Sequence, residues 1–150
     1  MTRNILILVL LAQLCGIAFS QTNSPNMIGS WNVEIALGQT GNPNTEVRHK
    51  LRFDAQDDGK GSLVLIDPLA MRWGGAKPSE GKWTRGEGNT LTFSGPVEFP
   101  LGNVGRDPGT LTFKGKFEGS DTITGDVEFA PLVGERVSKH GSFRATRGTK

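Results

Sequence analysis

The chain has 150 residues, with 17 Lys and Arg against 15 Asp and Glu and a formal charge of +2. So small a charge gives no reason to expect nucleic acid or an acidic surface as a partner. Two histidines and one cysteine supply metal ligation poorly, and no metal or other cofactor is expected.

Met1-Thr2-Arg3-Asn4 leads into an apolar stretch from Ile5 to Leu14, followed by Ala18-Phe19-Ser20 and Gln21. One cation, a short apolar core and small residues before the junction read as a secretory signal peptide, cut between Ser20 and Gln21. The stretch falls short of the roughly 20 apolar residues that span a bilayer. Cys15 follows Gln13-Leu14 rather than small residues, so lipidation is not expected. The expected organisation is a signal peptide over 1–20, a short polar leader over 21–28 and one domain over 29–150. The mature chain then has no cysteine, no transmembrane segment and a secreted or periplasmic location, and packing alone must hold it together.

Beyond the leader the apolar residues recur with period two, in runs separated by Gly, Pro, Asn and Asp. In chain order the runs are 30–37, 45–54, 62–67, 81–85, 90–94, 110–118, 122–129 and 140–147. Eight such strands predict an all-β domain, a sandwich or a barrel. The longest connections are 68–80, 95–109 and 130–139. One parity puts Trp31, Val33, Ile35, Leu37, Val47, His49, Leu51, Phe53, Trp83, Phe93, Phe113, Phe129 and Phe143 inside. The other parity carries Arg48, Lys50, Lys114, Lys116, Asp126 and a series of threonines. Apolar inside and polar outside is the reverse of an outer-membrane barrel.

The segment 110–129 places glycine where an apolar side chain is due, at Gly115 and again at Gly125. Residues opposite each other in an antiparallel pair share a face. Phe117 and Ile123 both face inward, which requires an odd-numbered loop, Gly119-Ser120-Asp121. That register opposes Lys114 to Asp126 and Gly115 to Gly125, so the two holes are one. The facing glycines predict a barrel corner, a gap filled by the indole of Trp83 or Trp31, or a cavity kept open for a ligand.

Gly29-Ser30-Trp31 opens the first strand, and Arg147 closes the last on an inward parity. Gly-x-Trp on strand one, with an arginine of the final strand over the indole, resembles the lipocalins and the wider calycin group. The segment 113–129 together with 141–147 is also similar to lipocalin-like domains of bacterial exported proteins. The resemblance implies an eight-stranded antiparallel up-and-down barrel closed at one end by Trp31 and Arg147, a cation–π pair.

No Ser–His–acid group, phosphate-binding loop or complete calcium loop is present, and no enzymatic activity is expected. The leading reading is a carrier for a small apolar or amphipathic molecule in the lumen. His49, Trp83, Phe113 and Phe129 would line the lumen beside Gly115 and Gly125, with Met71 and Trp73 guarding it. The alternative is a protein-binding barrel with a solid core, such as an exported hydrolase inhibitor, acting through loops 68–80 and 95–109.

Overall fold

The computed structural model describes residues 25–39, 42–67, 77–101 and 105–149. Eight strands follow one another: β1 (Gly29–Gln39), β2 (Asn42–Ala55), β3 (Lys60–Leu65), β4 (Ser79–Arg85), β5 (Thr90–Leu101), β6 (Gly105–Phe117), β7 (Thr122–Pro131) and β8 (Lys139–Arg147). Each pairs with the next, and β8 pairs with β1 to close the barrel. Every pairing is antiparallel. Among the described residues no helix is long and apolar enough to cross a membrane.

Alternation explains the interior. Trp31, Val33, Ile35 and Leu37 of β1 are buried, as are Leu51 and Phe53 of β2, Leu91 and Phe93 of β5, and Leu111 and Phe113 of β6. The middle of the barrel is a stack of rings contributed by β2, β5, β6 and β8. Phe53 and Phe93 are 4.9 Å apart, Phe93 and Phe113 lie parallel at 4.1 Å, and Phe143 meets Phe113 edge-on at 5.1 Å. Offset and edge-on arrangements of this kind suit the ring quadrupoles. They also fill the barrel's cross-section at that level.

The β6–β7 hairpin takes the expected register, with Phe117 opposite Ile123, Lys114 opposite Asp126 and Gly115 opposite Gly125. Gly119 takes φ +77° in its loop, where glycine is at no disadvantage. No indole fills the glycine pair; an open groove of about 400 Å³ runs past Gly115 and Gly125, lined also by the outward-parity Lys114, Lys116 and Thr124, but toward the interior there is no room. A Cβ on Gly115 would lie 2.6 Å from Phe143 Cζ, and one on Gly125 would lie 2.7 Å from Gly115 Cα. The two backbones crease together and Phe143, the register neighbour of Gly125, covers them.

Three sequence expectations are corrected. The 95–109 connection is largely strand, because β5 runs to Leu101 and β6 resumes at Gly105. Pro96 and Pro100 are tolerated because β4 pairs with β5 only as far as Ser94, which leaves the rest of β5 an edge on that side. Val47 is exposed rather than core, since β2 has lost its β3 partner above Leu51 and projects past the packed interior. The polar leader contributes to the core: Met27 is buried, and its carbonyl accepts a hydrogen bond from Trp31 Nε1 at 2.7 Å.

Candidate functional site

Up-and-down topology gives the barrel two unlike ends. One end holds the tight β2–β3, β4–β5 and β6–β7 turns together with Trp31, Arg147 and residues 25–28. The other end is reached by the long connections after β3 and β7 and by the short ones after β1 and β5.

The expected site residues divide between these ends. Arg147 stands directly opposite Trp31 on the neighbouring strand, with its guanidinium carbon 4.3 Å from the indole. Trp83 belongs to the same end, half-buried, with Nε1 donating to Gln56 O at 2.8 Å. It cannot share a ligand with the opposite mouth. Phe113 lies in the central stack and Gly115 and Gly125 in the crease beneath Phe143. Met71 and Trp73 lie outside the described residues.

His49 and Phe129 do come together, through Phe99. The His49 ring is 4.3 Å from Phe99, and Phe99 meets Phe129 at 5.0 Å. His49 Nδ1 pairs with Asp67 Oδ2, and Asp67 Oδ1 accepts from the Lys50 N–H at 3.2 Å. Both side chains of that pair are mostly shielded from water. The pair therefore fixes the chain leaving β3 to the wall of β2.

Asp107 completes this end. It is the one charged side chain buried among the described residues, at 1% exposure, and it faces inward opposite Phe99. Arg136 Nη1 lies 3.0 Å from Oδ1 and Lys139 Nζ 3.9 Å from Oδ2, both from the β7–β8 side of the mouth. Arg136 is not aligned to donate, so Oδ1 has no hydrogen bond. Sequence reading misses Asp107 because it treats 95–109 as a connection. The signal was there: Asp107, Gly109, Leu111 and Phe113 share one parity.

A groove opens beside this cluster. β3 and β4 pair only over Lys60–Leu63 with Ser79–Lys82, so no strand separates Leu65 from Val97 above that point. The Ser79 hydroxyl lies between Pro96 O at 2.5 Å and Leu63 O at 3.1 Å, donating to one of these carbonyls at a time, and closes the bottom of the gap. The groove has a volume of about 310 Å³, and Leu63, Leu65, Val97, Gly109 and Leu132 are among its walls. The Glu98–Arg106 pair, at 2.9 Å, and Lys77 stand at its rim. This is the lower end of the range for small-molecule sites, roughly 300–1,000 Å³. A larger groove of about 650 Å³ mixes charged side chains of outward parity, among them Glu34, Arg48, Lys50 and Arg144, with apolar ones such as Ile35 and Ile66, and the His49–Asp67 pair also lines it.

Among the described residues no group of three or more His, Cys, Asp or Glu side chains could hold a metal ion. The arrangement can seat an apolar chain against leucine and valine and present charge at its end. The chain matches no protein-family model, and no curated protein aligns with it significantly.

Proposed function

We propose that this protein is an exported, non-enzymatic binding protein of lipocalin-like type, which takes up the apolar part of a small amphipathic molecule. The seat is the groove between β3 and β5 at the loop-bearing end, not the middle of the lumen. The observation that carries this reading is the gap in the barrel wall, where the inner-face side chains Leu63, Leu65 and Val97 line a space of about 310 Å³. The central ring stack forms a floor below it.

Equilibrium binding of a neutral naphthyl fluorophore, competed by dodecanol, tests the reading. Saturable binding by the wild type, weakened several-fold by Leu132→Gln, is the expected result. Leu132 is 68% exposed, so its substitution leaves the core intact. Absence of binding, or binding that Leu132→Gln does not touch, overturns it.

A second reading, a protein-binding barrel, is favoured by one specific observation. Among the described residues, six of the seven exposed large hydrophobics, Val47, Ile66, Leu101, Leu132, Val133 and Val137, lie at this same end. Apolar side chains gathered at one pole suit a macromolecular contact.

A further inference from the structure

We propose that the mouth of the barrel selects a cationic ligand, a primary organic ammonium carrying an apolar chain, and that Asp107 is its counter-ion. This rests on the groove reading for the apolar chain, and it adds the charge of the headgroup.

A carboxylate that is 1% exposed is placed inside a protein only with partners, because burying an unpaired charge is costly. Asp107 has partners, but poorly placed ones. Its Oδ1 accepts no hydrogen bond although Arg136 Nη1 is 3.0 Å away. Its Oδ2 faces Lys139 Nζ at 3.9 Å, well beyond the roughly 2.7–2.9 Å of a charge-assisted hydrogen bond. The same Nζ lies 5.8 Å over the face of Phe129, at the outer limit of about 6 Å for a cation–π contact. A carboxylate and an aromatic face thus converge on one ammonium, and the ammonium present is the chain's own, held loosely from both sides.

Lys139 is free to leave. Its side chain is 41% exposed, so the ammonium can swing into water while its strand stays paired. An incoming ammonium that reaches hydrogen-bonding distance of Asp107 replaces one positive charge with another, and the buried carboxylate is never left uncompensated. A carboxylate headgroup would instead bring a second negative charge beside the first. Groove and seat are neighbours: Gly109 of the groove wall is two residues along β6 from Asp107 and shares its parity, and the Phe129 ring packs on the Gly109 backbone.

Competition of dodecylamine, dodecanol and dodecanoate for the neutral fluorophore decides between the headgroups. In the wild type dodecylamine should bind about tenfold more tightly than dodecanol, and dodecanoate least tightly. Asp107→Asn should erase the preference while leaving dodecanol affinity within about twofold. Lys139→Gln, which removes the internal competitor, should tighten dodecylamine alone. That second variant keeps the test decisive if Asp107→Asn does not fold. Equal affinities for amine and alcohol, tightest binding of dodecanoate, an amine preference that survives Asp107→Asn, or no gain with Lys139→Gln would each overturn the proposal. Dodecanol binding without an amine preference leaves the groove standing and removes only the ammonium seat. Dodecylamine binding without dodecanol binding does the reverse, and binding of neither removes both.

Discussion

The two ends of the barrel each carry an arginine near an aspartate, and they treat the pair oppositely. At the closed end the Arg147 guanidinium donates to Asp121 Oδ1 at 2.8 Å, to Ile28 O at 3.0 Å, and to Asn26 O and Ser120 O at 2.6 and 3.2 Å. Its face covers Trp31, and its aspartate stands in water. At the mouth the aspartate is the buried partner, its Oδ1 accepts no hydrogen bond, and the cations are the exposed partners. The closed end satisfies its guanidinium, whereas the mouth keeps an unmatched acceptor, the observation on which the proposed ammonium seat rests. Burial of charge without full satisfaction is the feature that separates them.

The ring stack keeps the two ends apart, and breaking it should have the largest effect. Phe113 is fully buried between Phe93 and Phe143. Phe113→Ala should lower unfolding free energy by about 3–5 kcal/mol in urea denaturation. It should also create a central cavity able to hold a small aromatic such as benzene. A loss below about 1 kcal/mol would mean that the middle of the barrel is not a packed floor, and that the ends are not independent.

The arginines themselves come next. Arg147→Ala removes a cation–π contact and several charge-assisted hydrogen bonds, which together should cost about 1–3 kcal/mol. Trp31 emission should move to the red as the indole meets water. Lys139→Gln at the mouth removes an ion pair at its distance limit and should cost less than about 1 kcal/mol. If the two substitutions prove equally costly, the contrast between a structural end and an open end fails.

Much of this was legible in the sequence, and the gaps have physical causes. Period-two patterning and one odd-numbered loop were enough to register β6 on β7, because a one-residue slip would turn every side chain to the wrong face. Inward parity alone placed Trp31 and Arg147 on one face. Parity does not report height along the barrel, so Trp83 joined His49 in the expected site although they belong to opposite ends. Prolines at 96, 100 and 108 masked the extension of β5 and β6 and hid Val97, Phe99 and Asp107 with it. The groove was out of reach for another reason. It arises where β4 begins only at Ser79, opposite Leu63, while β3 continues to Leu65 and β5 to Leu101, and such offsets between strands follow from pairing rather than from any one run.

The smallest expected effect is electrostatic and belongs to the closed end. Asp121 is held below its ordinary value of 3.8, first by the hydrogen bond from the Ser120 hydroxyl and then by that from Arg147. A carboxylate depressed by folding adds stability that is fully present above its unfolded value, and that stability drains away as pH falls through the folded one. The window therefore lies below 3.8, on the acid side only. The side chain is fully exposed, so water and salt weaken the contribution, and added salt should shrink it further. Thermal midpoints of the wild type and of Asp121→Asn, followed from about pH 6 down to about pH 2, should run parallel and then converge at the acid end. Convergence on the alkaline side instead, or a constant gap across the range, would show that Asp121 holds Arg147 by geometry alone and not by charge.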